Sequence, residues 1–446
     1  MVYENLHFEI GHGDAEKTAR VAISLEKLCE LFHYAWRYRR ATTSITIYDS
    51  CDARVAPSTP PPDYDQYIAH MDLSLRSILH YTTHLTTFVM DASTTGQILH
   101  LPNALSILNM VFNLREVALL SVCCGRGQLP HMGGQVQHAI IRNAGPDATW
   151  YSSFLDKQRL SRLDISDTTS HDGRWQEAFR APAASWAGLS CLCISCTDNN
   201  LLDYANLIER GLAKSSWPRL TSLSLSVPFT WMPALDILLA NVSRAPIRCF
   251  RFTVNVDGRY LPGFGPSFVR EMGKNLSRLV ELILDHSGVS RYAPLPGDLN
   301  EWADGLRGLR EIRTLVLPTA FVAIPRAPPE HRSQDAVLGM PHQNMSPSLQ
   351  RIWGGLALYA RHFMLNRLPL PSFDKICFLH DDPRLGYREA IAFERKVLSA
   401  PIPMHRGDRH HMSNARSNGK STAKHIVRVS HIPYDMFWEP KWRQRR

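Results

Sequence analysis

Five stretches of this chain repeat one pattern: RLSRLDIS (159–166), GLSCLCIS (188–195), RLTSLSLS (219–226), RLVELILD (278–285) and EIRTLVLP (311–318). Each carries an apolar residue, two others, a second apolar residue, one other, and a third apolar residue. Further matches are Leu85/Phe88/Met90, Leu114/Val117/Leu119, Ile247/Phe250/Phe252 and Phe373/Ile376/Phe378, with a weaker copy at Leu349/Ile352. SITIYD (44–49) has the look of an earlier strand. From Leu85 to Phe373 the mean spacing is 32 residues, and the central intervals are 29, 31, 27, 32 and 33. One such motif means little, but a series at near-constant spacing constrains the fold severely.

Side chains alternate along a strand, so the second and third apolar positions share a face. Between the motifs, 201–216, 233–244, 268–279, 299–309 and 357–368 place apolar residues three and four apart, as amphipathic helices do. A strand-plus-helix unit recurring about every 30 residues predicts an α/β leucine-rich-repeat-like solenoid. Its short parallel strands would line the concave face and its helices the convex one. No unit can bury its apolar side alone, whereas stacked units can. The rival is a doubly wound parallel sheet, whose strands are buried on both faces and read as continuous apolar runs. Here Ser222, Ser224, Arg162, Asp164, Arg251 and Glu281 alternate with the apolar positions. That favours one open face. The array is irregular: Asn follows the third apolar position clearly only at Asn255, and the 46 residues from Leu114 to Leu160 leave room for an insertion. Residues 56–65 and 320–348 read as Pro-rich loops.

The formal net charge of +9 is concentrated at one end. Residues 401–446 hold ten Lys/Arg and three Asp/Glu, which is +7 and leaves about +2 for the rest. This segment is expected to be a basic, disordered tail. Nine cysteines, an odd number at irregular spacing with no secretory leader before them, read as reduced thiols of an intracellular protein, cytoplasmic or nuclear. The uncharged run 92–114 contains Ser, Thr, Gln, His, Asn and Pro, so no membrane span is expected.

AWRYRRATTSITIYDS, a Pro-rich gap and LSLRSILHYTTHLTTFVMDAS resemble the entry into the repeat domain of fungal F-box/leucine-rich-repeat-like proteins. The resemblance runs by pattern from residue 34 to about 395. In that family an N-terminal F-box grips the Skp-type adaptor of a cullin ubiquitin ligase, and the repeats hold the substrate. The resemblance therefore implies a substrate receptor. The F-box itself departs from the family: its Leu-Pro-x-Glu-like opening is missing, and only 21–40 resembles the last part of such a module. The expected organisation is a helical segment with an F-box remnant (1–40), a solenoid (41–400) and the tail (401–446).

Chemistry is sparse. CLCISC (191–196) lacks the second cysteine pair that a zinc knuckle needs, and its strand register sends Cys191 and Cys193 along the concave face. Cys123-Cys124 reads as two free thiols in a loop. NGKST (418–422) ends like a phosphate loop, but Asn414 replaces the required Gly. HRGDRHH (405–411) and WEPKWRQRR (438–446) suit anionic surfaces or nucleic acid, the latter through Trp stacking. No nucleophile elbow or paired carboxylates appear, so no catalytic residue, metal or cofactor is assigned. The expected working surface is the concave face, with Glu116, Arg162, Asp164, Arg251, Glu281 and Asp285, and Trp353 near its end, meeting a protein partner. On that view reversing Arg251 and Glu281 weakens capture and leaves folding intact. The function expected is a non-enzymatic protein-interaction scaffold, with a basic-tailed nucleic-acid or chromatin binder as the alternative. An enzyme on a doubly wound fold comes third.

Overall fold

The computed structural model describes residues 4–10, 15–49, 64–92, 98–123, 136–142, 159–167, 188–196, 218–228, 239, 243, 245–255, 265–287, 299–319, 346–361, 374–381, 388–397 and 423–432. The chain is an α/β protein with a large, mostly parallel sheet. It divides into two units, Met1–Ile247 with Phe252–Asn255, and Arg248–Arg251 with Val256–Arg446.

In the first unit the strands are β1 (Asn5–Ile10), β2 (Ser44–Asp49), β3 (Thr87–Asp91), β4 (Leu99–His100), β5 (Glu116–Leu120), β6 (Val122–Cys123), β7 (His138–Arg142), β8 (Arg162–Asp167), β9 (Cys191–Cys196) and β10 (Ser222–Pro228). All but β4 and β6 follow one another across a single sheet in chain order, and every neighbouring pair is parallel. β4 and β6 form a separate parallel pair. A doubly wound sheet reverses its strand order at a switch point; this run never reverses. The helices α1 (Ala15–Tyr34), α2 (Trp36–Ala41), α3 (Tyr64–Tyr81) and α4 (Pro102–Ile107) fill the early connections, with α1 against α3 and α3 against α4.

The strands start where they do for a local reason. Along most of the main sheet's parallel strands, the residue just before a strand's first position lends its carbonyl to two consecutive N–H groups at the start of the next strand. Thr86 O accepts from Arg115 N (2.8 Å) and Glu116 N (3.0 Å), Ser161 O from Ser190 N (2.8 Å) and Cys191 N (3.0 Å), and Ser190 O from Thr221 N (2.9 Å) and Ser222 N (3.0 Å). Hydroxyls at this position add a third donor: Thr86 Oγ1 to Thr43 O (3.0 Å), Ser161 Oγ to Gln137 O (3.0 Å), Ser190 Oγ to Ser161 O (3.0 Å) and Thr221 Oγ1 to Ser190 O (3.3 Å). Each such bond contributes about 1 kcal/mol net and holds the register.

With the register so fixed, the apolar positions align. Phe88, Val117, Ala139, Leu163, Leu192 and Leu223 form one row, and Met90, Leu119, Ile141, Ile165, Ile194 and Leu225 another. All twelve are buried.

The second unit follows the same logic with β12 (Glu281–Ser287), β13 (Thr314–Pro318) and β14 (Lys375–Asp381), all parallel, after β11 (Cys249–Asn255), which the two units share. Val280 O again accepts from Arg313 N (2.7 Å) and Thr314 N (3.1 Å). Helices α5 (Pro266–Asn275) and α6 (Leu299–Leu306) make contact. Gly273 and Gly308 let the two segments meet backbone to backbone: a Cβ on Gly273 would lie 2.8 Å from Gly308 Cα. The helix α7 (Pro347–Arg361) touches β14. The direction then changes, because β15 (Arg388–Val397) and β16 (Ala423–Ile432) close the sheet antiparallel.

Several expectations are corrected. Residues 1–40 are no separate helical segment, because β1 pairs with β2 and α1 packs on β1 and α3, making a strand–helix–strand start. The 46-residue interval contains β7, whose Val136/Ala139/Ile141 repeats the apolar pattern with a small residue in the middle. Leu349/Ile352 belongs to a helix, α7, not a strand. The segment 401–446 contains β16, AKHIVRVSHI, whose β-branched Ile426, Val427, Val429 and Ile432 suit a strand. The face expected to be open is buried along its middle row, at Val89, Ala118, Ile140, Asp164 and Cys193 in the first unit and at Ile283, Val316 and Cys377 in the second. Residues 201–216 and most of 233–244 lie outside the described residues. Among the described residues no helix is long and apolar enough to cross a membrane.

Leu223 is fully buried beside Leu192 at the end of its row. Leu223→Asp places an unpaired carboxylate there and is expected to cost several kcal/mol. A thermal melt followed by circular dichroism checks this, and an unchanged midpoint would refute the register.

Candidate partner-binding face

The register sorts the expected face into three rows. The first row is Thr87, Glu116, His138, Arg162, Cys191 and Ser222, one residue from each of β3, β5, β7, β8, β9 and β10. His138 is exposed and the others are half-buried. Neighbouring residues in it are one strand spacing apart, about 4.8 Å. Glu116 and Arg162 flank His138, so the two opposite charges of the row are separated by an imidazole. In the second unit Glu281, Thr314, Lys375 and Glu394 form the corresponding row. Lys375 Nζ lies 3.3 Å from Glu394 Oε1, and Glu281 Oε2 accepts from Cys249 Sγ at 3.0 Å.

The middle and last rows are engaged internally. Asp164 is buried and takes a two-point contact from Arg142, Nη2 to Oδ2 at 2.7 Å and Nε to Oδ1 at 3.3 Å. Arg142 sits opposite Ser166, so the pair is a diagonal cross-strand contact on one face. Arg251 Nη2 lies 2.9 Å from Oδ2 of Asp285, whose side chain is 1% exposed. Asp164, Asp285 and Arg251 are thus tied into buried or nearly buried ion pairs, not held out to a partner. Removing one member of such a pair strands a buried charge, which is strongly destabilising. The expectation that reversing Arg251 and Glu281 would leave folding intact is therefore corrected. Trp353 falls on α7, not on a strand, so it is not a member of these rows.

Cys191 and Cys193 lie on one side of β9, next to Arg162 and Asp164 respectively. The Cys193 thiol hydrogen-bonds to the Cys191 sulfur and, with Arg162 adding its positive charge, lowers the Cys191 pKa to about 7 against the opposing effect of burial. Cys193 shifts the other way, well up, because it is the donor in that contact and is buried. Cys377 is pushed up to about 12 by burial.

Two histidine contacts escaped the sequence reading. Cys123 Sγ lies 2.9 Å from His100 Nδ1 across the β4–β6 pair. His380 is buried between Thr319 Oγ1 (3.0 Å from Nδ1) and Ser348 Oγ (3.1 Å from Nε2). Ser346 accepts from Leu349 N at 3.3 Å, so this network caps α7 and ties it to β14. Nothing short-range announces either contact, since the partners are 23 and 32 residues apart. Among the described residues no three His, Cys, Asp or Glu side chains are grouped to hold a metal ion. Cys124, HRGDRHH, NGKST and WEPKWRQRR lie outside the described residues. No protein-family model matches the chain, and no curated protein does either.

Two expectations follow. Arg251→Ala leaves Asp285 buried without its cation and should destabilise the fold by about 3 kcal/mol; a urea titration reads this, and a loss under 0.5 kcal/mol would contradict the pairing. Alkylation by iodoacetamide should reach Cys191 first, with a rate rising through a midpoint near pH 7 as the thiolate forms. Cys377 should stay unlabelled in the native protein at pH 8. Peptide mapping that finds Cys377 labelled first would overturn the assignment.

Proposed function

We propose that this chain is a non-enzymatic protein-interaction scaffold, built as a leucine-rich-repeat-like solenoid whose first-row residues meet a protein partner. The unreversed strand order within the first unit supports the solenoid. A strand–helix–strand crossover between parallel strands is almost always right-handed, so steps in a constant direction place successive helices on one side and leave strand positions on the other. The row Glu116–His138–Arg162–Cys191–Ser222 carries the functional reading. It draws polar side chains from five strands, none of them in the apolar core rows. A side chain array of mixed charge set at strand spacing suits partner choice and encounter rate more than bond-making. The resemblance to F-box/leucine-rich-repeat-like proteins extends the proposal to a substrate-receptor-like component of an SCF-type ubiquitin ligase. That extension rests on the resemblance alone.

The test is affinity capture with the full chain, comparing wild type, Glu116→Lys with Arg162→Glu, and Lys27→Glu on the exposed side of α1 as control. The strand double variant is expected to lose most of its captured protein while the control keeps it, with both melting as wild type. Equal capture by the strand variant would refute the face. Purified Skp-type adaptor, added separately, tests the ligase extension; no binding at tens of micromolar would remove it.

A further inference from the structure

The helix α2, WRYRRA, has no buried residue. It contributes nothing to the core, yet its sequence is rich in groups that are costly to leave idle. Three arginines crowd within four positions, and the like charges of Arg37 and Arg40, three apart on a helix, repel. Among the described residues none of the three is paired with a carboxylate. Each is set against a ring instead: Arg40 at 4.9 Å and Arg37 at 5.8 Å from the Trp36 centroid, Arg39 at 5.9 Å from that of Tyr81. The rings themselves are open to solvent, with Tyr34 83%, Trp36 50% and Tyr38 40% exposed. They continue into a string of edge-to-face contacts, Tyr34 to His33 at 4.9 Å, His33 to Tyr81 at 5.8 Å and Tyr81 to His80 at 5.7 Å. His33 Nδ1 also meets the Tyr81 hydroxyl at 3.0 Å, which fixes the end of α1 against the end of α3.

We propose that α2, with Tyr34 and the Tyr81 end of α3, is a binding site for single-stranded nucleic acid. Every nucleobase has a flat face that stacks on exposed tyrosine or tryptophan, and every linkage carries a phosphate for a guanidinium. The arginines are held by cation–π contacts beside those rings, so both kinds of group reach the same strand. Duplex hides its base faces, so it can use only the charges. An acidic peptide likewise pairs with the arginines but leaves the rings without a planar partner. This goes beyond the scaffold reading and does not depend on it.

The experiment measures fluorescence anisotropy of labelled oligouridylate and oligothymidylate of 20 nucleotides, and of a 20-base-pair duplex, against the full chain. Variants are Arg37→Glu with Arg40→Glu, Tyr34→Ser, and a tail variant with Lys441, Arg443, Arg445 and Arg446 all changed to Gln. Both single strands should bind at least tenfold tighter than duplex. The double arginine variant should weaken this at least tenfold and flatten the salt dependence by about 1.4 in log–log slope, two phosphate contacts at about 0.7 each. Tyr34→Ser should weaken it severalfold with an unchanged slope, a split that loss of charge alone cannot give. The tail variant should bind as wild type. Because α2 buries nothing and Tyr34 at the end of α1 is exposed, the arginine and Tyr34 variants should keep the wild-type melting point; if the arginine variant does not, Tyr34→Ser decides. Equal affinity of the α2 variants and wild type overturns the proposal. So does duplex binding as tightly as single strands, competition by polyglutamate equal to that by oligouridylate, or loss of binding in the tail variant alone. Preference between the two single strands reports whether RNA or DNA is the better ligand.

Discussion

The structure depends on a carbonyl shared between two donors. At the entries of β3, β5, β7, β8, β9, β10, β12, β13 and β14, the backbone oxygen just before the neighbouring strand accepts from two successive N–H groups, as Gln137 O does from Ser161 N (2.8 Å) and Arg162 N (3.0 Å). A side chain slipped by one residue would leave this oxygen and send every apolar residue to the wrong face. The contact therefore sets the register, and the register builds the rows. Serine and threonine recur at that position, Thr43, Thr86, Ser161, Ser190 and Thr221, because a hydroxyl there reaches back to the same kind of carbonyl. Neither donor has to leave water for an unsatisfied site, which is the condition for a buried polar ladder to stabilise.

That dependence explains which parts of the fold were legible in the sequence. Leu163, Leu192, Leu223, Leu282 and Leu315 announce their strands because an apolar residue repeated at fixed spacing has few other causes. β7 stayed hidden because Ala139 occupies the middle apolar position and gives a faint signal. β1 and β16 are edge strands, partnered on one side, so their alternating residues are only part apolar. Leu349/Ile352 shows the converse error: two apolar residues three apart fit a helix equally well, and Pro347 with the Ser346 cap decides for the helix.

The candidate site was legible only as a list of residues. Charge at alternate strand positions looks the same in sequence whether it faces water or a partner charge on the next strand. Asp164 and Arg142 are 22 residues apart, and Arg251 and Asp285 are 34 apart, so only the register makes each a pair. Once paired and only 1% exposed, a carboxylate such as that of Asp285 lies out of reach of a ligand in solvent. Arg162 and Glu116, by contrast, stand at the strand entrances and remain half-buried. Nor does the spacing of Cys191 and Cys193 show that the hydrogen bond between them makes one acidic and the other resistant to ionisation.

The same constraint that buries the middle of the sheet decides where recognition can occur. An ion pair held by two strands in register rigidifies the sheet, but its charges are already neutralised, and pulling them toward a ligand would cost the full price of an uncompensated buried charge. Glu116 and His138 at the strand entrances of the first unit differ: their backbone N–H groups are pinned by the shared carbonyls, while their side chains stay half-buried or exposed. α2 takes this separation to its limit, because none of its side chains is needed for burial and its arginines rest only on surface rings. Structural polar groups thus sit in the middle rows, and the groups able to meet another molecule sit at the entrances and on the short helix. The division follows from hydrogen-bond register before any partner is considered.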